Sequence, residues 1–379
     1  MRRWISWIAL VLCVIGLTGC SLPRVNAEDR LFLPLSIEFL GSYTLTDKAF
    51  KETTIGGLSG IAYDRKRDLY YAISDDRSDR NPARFYTLKL QIAQNTLKSV
   101  EVQNVTTLTD ETGQPFAKGT IDPEGIALSP LNSVFVSSEG VTKDGIAPFI
   151  GEFDLQTGKL KRKLQMPESY LPDAKGMTQT RGVRDNLGFE ALTLNAGAST
   201  APSAEPFRLF AAIESPLAQD LELPTTKESL LNRLLHYQLI PTRSTLISEH
   251  AYPLDPKPAG ASDSGLTELL SIDQGGHFLS LERSFGVGGF QVKLFQVATG
   301  TASDTSSIES LRGAKVRPVR KELLQDLNQL GVRIDNLEAM TIGARLPDGS
   351  HSLVLVSDDN FSLGQVTQFL LFRLKGLKG

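Results

Sequence analysis

Nine acidic residues recur at two fixed phases of a repeating strand pattern. Glu124, Glu190, Glu268 and Glu338 each open a short apolar strand, and Ser59 stands at the same place in the first copy. Asp75, Glu139, Glu214, Glu282 and Asp358 each close the strand that follows. A turn joins the two strands, so they run antiparallel and both phases fall at one end of the sheet. Carboxylates crowded at one rim repel, and must either hold protons or share a cation. Oxygen donors of this kind favour calcium or magnesium. A divalent ion held there would polarise a phosphoryl oxygen and activate water. Strand-end acids also cap turns or pair with neighbouring cations, so the same pattern has a purely structural alternative.

Arginines accompany the acids. Arg77, Arg80 and Arg84 follow the first acidic strand end, Arg181 and Arg184 precede Asn186-Leu187-Gly188-Phe189-Glu190, and Arg283 follows Glu282. The guanidinium fork donates two parallel hydrogen bonds to phosphate or carboxylate. Arg77, Arg84, Arg184 and Arg283 are therefore the expected ligands of a small anionic or ester substrate, unless they neutralise the rim acids. Other schemes fit less well. Gly57-Leu58-Ser59-Gly60 is followed by Ile61 and so lacks the last glycine of a nucleophile elbow. His236, His250, His277 and His351 fall in no zinc-ligand spacing. No phosphate-cradling loop or dinucleotide fingerprint is present.

The elements that must position these groups are read from the repeats. The aligned positions, Ser59 included, are separated by 65, 66, 78 and 70 residues, which suits a four-stranded propeller blade with generous loops. Each of the first four copies contains two further strand-like runs, bounded by Gly, Pro and Asp turns. The fifth has one, at 366–374, and then the chain ends. A spare strand at 35–45 precedes the first copy. Pairing the two would close a ring and remove both open edges. The expected fold is all-β: a propeller of five four-stranded blades closed by its N- and C-terminal strands. A sixth blade would require strand hidden in 48–55 or 166–186. Two stacked sandwiches are the alternative architecture.

Several of these segments resemble the phytase-like, or esterase-like, propeller domain of bacterial secreted proteins. They are Gly56-Gly57-Leu58-Ser59-Gly60-Ile61, Ser74-Asp75-Asp76, Asp122-Pro123-Glu124-Gly125-Ile126, Asn186-Leu187-Gly188-Phe189-Glu190-Ala191-Leu192, Asn336-Leu337-Glu338-Ala339-Met340 and Ser357-Asp358-Asp359-Asn360. The resemblance implies metal-assisted hydrolysis of phosphoric or other esters outside the cytoplasm. Glu124 and Glu190 lie in the most family-like segments and are the first candidates for catalysis. Fold alone does not carry activity, so a non-catalytic propeller that binds a ligand or partner at the same funnel stays beside the hydrolase.

The N-terminus agrees with export. Arg2 and Arg3 precede an uncharged, mostly apolar run, which ends in Leu17-Thr18-Gly19-Cys20. The run has the length of a signal peptide and is short for a membrane span. The four residues resemble the lipobox of bacterial lipoproteins. Residues 1–19 are accordingly expected as a signal peptide, Cys20 as the lipidated residue, 20–30 as a tether and 31–379 as one domain. Ser21 carries no retention signal, so the anchor would sit in the cell membrane or the outer membrane. The chain's only other cysteine is Cys13, inside the leader, so no disulfide supports the domain. Without Arg2 and Arg3 there remain 38 basic against 43 acidic side chains, a poor fit to nucleic acid. A monomer is expected.

Overall fold

The computed structural model describes residues 31–202, 205–221 and 229–377; the leader and Cys20 lie outside them. Within the compact unit Pro34–Gly379, strand β1 (Ser36–Thr44) comes first. A minimal hairpin of β2 (Ala49–Phe50) and β3 (Thr53–Thr54) follows. Blade one is β4 (Leu58–Asp64), β5 (Leu69–Ser74), β6 (Arg84–Ala93) and β7 (Thr96–Thr107). Blade two is β8 (Pro123–Leu128), β9 (Ser133–Ser138), β10 (Phe149–Asp154) and the short β11 (Leu160–Lys163). Blade three is β12 (Phe189–Leu194), β13 (Phe207–Ile213), β14 (Leu231–Ile240) and β15 (Arg243–Pro253). Blade four is β16 (Ala261–Ser271), β17 (His277–Gly286), β18 (Gly289–Ala298) and β19 (Arg320–Asp326). Blade five is β20 (Leu337–Arg345), β21 (His351–Ser357), β22 (Gln368–Lys375) and, on its outside, β1. The innermost strands β4, β8, β12, β16 and β20 touch in cyclic order, which is a five-bladed propeller.

Closure follows the expected pairing. β1 runs antiparallel to β22 from Ser36↔Lys375 to Thr44↔Gln368, with one bulge between Phe39 and Gly41. The Phe39 and Phe372 rings sit 5.3 Å apart across the pair. The fifth sheet thus gains a fourth strand on its outside, and the edge of β22 is covered. Among the described residues there is no sixth blade. Segment 48–55 holds only the β2–β3 hairpin, and 166–186 holds one 3-10 turn, Glu168–Tyr170.

Apolar side chains from facing sheets make the core. Phe135, Phe189, Phe207 and Tyr237 lead the cluster between blades two and three. Similar clusters fill the gaps between blades one and two, three and four, and five and one. The innermost strands are covered on both faces: every residue of β8 is buried. That is why they read as unbroken apolar runs rather than alternating ones. At one mouth of the channel Ile61, Ile126, Leu192, Leu269 and Met340, all buried, line a common cavity. The acids lie at the other mouth.

Candidate functional site

Each innermost strand carries a bulge near its start. The register shifts between Leu58 and Gly60, Pro123 and Ile126, Phe189 and Ala191, Leu266 and Glu268, and Leu337 and Ala339. The residues extruded there are Ser59, Glu124, Glu190, Thr267 and Glu338. A bulge leaves one residue outside the ladder and re-aims its side chain, here toward the rim. The second phase sits one residue past the neighbouring strand. The N–H groups of Asp75, Glu139, Glu214 and Asp358 donate to the carbonyls of Gly57, Asp122, Gly188 and Asn336, at 2.7–3.0 Å. That repeated bond turns each acid over the channel mouth.

The result is two interlocking carboxylate triads. Asp122, Glu124 and Glu139 offer oxygens within 4.8 Å of one another, as do Glu139, Glu190 and Glu214. Asp122, Glu124, Glu139 and Glu214 are buried, and Glu190 is half-buried. A cavity of about 380 Å³ opens onto Asp75, Asp122, Glu124, Glu190, Glu214, Glu338 and Asp358. Three arginines line it: Arg80 lies over the Phe361 ring, and the other two reach the acids. Arg77 donates through Nε to Asp122 at 2.6 Å and through its terminal nitrogen to Asn186. Arg283 reaches Glu214 at 2.8 Å, Asn336 at 2.7 Å and Glu338 at 3.2 Å. Gly265 makes room for this, since a Cβ there would stand 2.7 Å from Glu214 Oε1.

Two guanidiniums cannot neutralise eight carboxyls, and the protonation equilibria reflect it. Burial, then the charge of Glu190, pushes Glu124 well above the ordinary carboxyl range. Burial, then Glu139, Glu214 and Glu338, does the same to Glu190. Glu139 and Asp358 are raised by burial and by neighbouring acids. Burial lifts Asp75 to about 8. Burial lifts Glu214 to about 7 although Arg283 opposes it. Asp75 Oδ1 is also buried without a hydrogen-bond partner. Clustered hard oxygens, an unpartnered carboxylate oxygen and excess negative charge together fit a divalent cation of the calcium or magnesium type.

The geometry moves four of the expected site residues away from the funnel. Glu268 is one position out of phase: Thr267 occupies the bulge in blade four, and a one-residue slip turns a strand residue to the other face. Glu268 instead accepts from the N–H groups of Leu269, at 2.9 Å, and Met340, at 3.4 Å. In the other blades this place is Gly60, Gly125, Ala191 or Ala339, small because the next innermost strand passes close by; a Cβ on Gly60 would meet the Glu124 carbonyl at 2.7 Å. Glu282 is likewise one short. It pairs with Leu266 in the ladder and binds Lys321, Tyr252 Oη at 2.7 Å and the Asp255 N–H at 2.8 Å. Arg283 takes the rim place that acids hold elsewhere. Arg84 is fully buried, paired with Asp76 at 2.8 Å and bonded to Tyr86 Oη and the Thr54 carbonyl. Arg184 braces the following loop through the Pro216 carbonyl, at 3.0 Å, and Ser215 Oγ. Asp75, Glu124, Glu139, Glu190, Glu214, Glu338, Asp358, Arg77 and Arg283 do converge. Ser59 Oγ donates to the Glu124 carbonyl at 2.9 Å and so is committed to the backbone.

Asp122 and Asn336 were missed as site residues. They stand two positions before the bulged acid, where three other copies have Gly57, Gly188 and Gly265. The polar interruption of a glycine column was the signal.

A family model described as "Phytase-like: Esterase-like activity of phytase" matches residues 53–361. The chain belongs to this family. The phytase-like chain has no match among curated proteins. Among solved structures it is similar to an endo-arabinase from Bacteroides thetaiotaomicron, at 10% identity over 84% of this chain and 94% of that one, with a TM-score of 0.44. It is also similar to a Bombyx mori GH32 beta-fructofuranosidase, at 12% identity over 83% and 59%, TM-score 0.39. The catalytic domain of a Coprinopsis cinerea GH62 alpha-L-arabinofuranosidase is similar at 10% identity over 90% and 97%, TM-score 0.37. Similarities this distant add nothing on activity.

Proposed function

We propose that this phytase-like chain is an exported, lipid-anchored hydrolase of phosphoric or other esters that works with a divalent cation at the acid funnel. The observation that carries the reading is the pair of buried triads sharing Glu139. Asp122, Glu124, Glu139, Glu190 and Glu214 would hold the cation. When bound, the cation supplies positive charge to a phosphoryl or carbonyl oxygen and lowers the pKa of a water.

The chain's own groups do the rest. Arg77 and Arg283 both line the cavity, where their guanidinium charge favours an anionic substrate group. Asp75 lines the cavity and is raised to about 8 by burial before any cation binds, which makes it the candidate proton donor to a leaving oxygen. Glu124 belongs to one triad and Glu190 to the other, and both line the cavity; these are the residues on which hydrolysis should depend most. Export and anchoring rest on the leader and Cys20. The test is a panel of phytate, p-nitrophenyl phosphate, a phosphodiester and short-chain esters, run on the purified protein with calcium, with magnesium and with chelator. Turnover that requires the cation and vanishes in Glu124→Gln supports the reading. Silence across the panel, with calcium still bound, would leave a ligand-binding propeller.

A further inference from the structure

A second cavity, of about 630 Å³, lies between blades four and five and opens beside the acid funnel. The two share three wall residues, Asp263, Arg283 and Asn360. Arg283 thus stands at the boundary, with the acids on one side and this cavity on the other. The chemistry of the two differs. The second cavity is walled by Phe285 and Phe290 on the β17–β18 hairpin and by Val332 and Ile334 on the segment entering blade five, with Arg333 as an added cation. The two phenyl rings lie 4.7 Å apart.

Exposed apolar side chains also gather here. Phe285 is 44% exposed, and Val287 and Leu363, on the two loops bordering the cavity, are fully exposed. Val366 follows Gln365, another wall residue, and is 39% exposed. Four of the eight exposed large apolar side chains among the described residues thus gather at one place, beside the buried acids. The wall is mixed: Phe285, Phe290, Val332 and Ile334 form one apolar stretch, and Asn328, Asp335, Gln365 and the shared Asp263, Arg283 and Asn360 supply polar groups; its volume lies within the about 300–1,000 Å³ usual for ligand sites.

We infer that this cavity receives the organic part of the substrate, and that the preferred substrate is an anionic ester of a bulky apolar or aromatic alcohol rather than of a polyhydroxylated one. The inference rests on the proposed hydrolase reading for the role of the funnel. The anionic group would face Arg283 and the acids, and the apolar group would lie along Phe285, Phe290 and Val332. A highly charged alcohol gains little there: the cations of the wall are Arg283, already held by Glu214 and Glu338, and Arg333, against Asp263 and Asp335.

The test separates this inference from the hydrolase reading by measuring binding with ligands that cannot turn over. The full-length, detergent-solubilised protein with calcium is titrated calorimetrically with 1-naphthylphosphonate and with 2-hydroxyethylphosphonate. The naphthyl compound should bind about tenfold tighter or more, as expected for burying one aromatic group. Phe285→Ala with Phe290→Ala should remove that preference while leaving the affinity for 2-hydroxyethylphosphonate and the response to calcium unchanged. Val332→Asp, on a different segment, should do the same and guards against a hairpin that has simply rearranged. Equal affinity for the two phosphonates, no affinity for either, or a preference that survives both variants would overturn the inference. Naphthyl preference in a protein that hydrolyses no ester would sink the hydrolase reading alone. Turnover indifferent to the alcohol, together with equal phosphonate affinities, would sink this inference alone.

Discussion

Arg283 gives the sharpest test of the electrostatic account. Among the described residues its guanidinium is the only cation touching Glu214 and Glu338, and all three are largely buried. Arg283→Met keeps much of the volume and removes the charge. Breaking a buried pair by deleting one partner costs about 3–5 kcal/mol when the other charge must remain. These acids have an alternative, which is to keep their protons, and that makes the cost depend on pH. A carboxyl whose folded pKa exceeds its unfolded value contributes stability that is full below the unfolded pKa, about 4.3 for glutamate, and is lost as pH rises through the folded one. Glu214 sits at about 7 with Arg283 present. Without Arg283 it must rise further, and Glu338 with it. Below about pH 6 both proteins hold a neutral Glu214, so the substitution costs only its hydrogen bonds, about 1–1.5 kcal/mol. Above about pH 7 the wild type ionises Glu214 and the variant does not. The gap then widens by about 1.4 kcal/mol per pH unit for this group, toward the full 3–5 kcal/mol. An unfolding entropy of about 2.1 cal/mol/K per residue, over a domain of roughly 345 residues, converts 3–5 kcal/mol into about 4–7 °C. Scanning calorimetry in chelator between pH 5.5 and 8.5 reads this directly. A loss that does not change with pH, or no loss at pH 8.5, would refute the claim that Arg283 sets the ionisation of this cluster.

Four further outcomes are expected. Millimolar calcium should raise the melting temperature by a few degrees, as binding at a hundredfold excess over Kd is worth about 2.7 kcal/mol; Glu124→Gln with Glu190→Gln should erase that rise and be the more stable protein in chelator above pH 7. Glu268→Gln should keep the full calcium response, because its carboxyl meets backbone amides of β16 and β20 rather than the triads; loss of the response would return Glu268 to the site. Deleting residues 28–46 should expose the β22 edge and bring aggregation or loss of cooperative unfolding, measured by light scattering and calorimetry. Cys20→Ala should abolish lipid labelling and move the protein from the membrane fraction to the soluble one, and unchanged retention would contradict lipidation.

Five blades, their strand order and the closing pair were legible in the chain. The reason is local: strand period, turn residues and a recurring acid at a repeat spacing need no tertiary information. The rim acids of blades one, two, three and five were legible for the same reason. The misplaced acids both sit in blade four. Glu268 and Glu282 match the repeat in type, but the β16 bulge falls at Thr267, and a bulge moves with backbone pairing rather than with residue type. The true rim residue, Arg283, has the opposite charge and so broke the pattern being followed.

The arginines show the other limit. Arg77, Arg84, Arg184 and Arg283 look alike along the chain, each beside an acidic motif. Arg84 became a buried strut for Asp76 because it is the first residue of β6 and points between the blades. Arg77, seven residues earlier in a loop, reached the funnel. The sequence by itself determined which residue types recur, at what spacing, and hence the ring. Only the tertiary structure decided which carboxyls approach closely enough to perturb one another, which guanidiniums they share, and that an apolar cavity adjoins them. Those are properties of groups brought together from different blades, where burial and charge act through space and not along the chain.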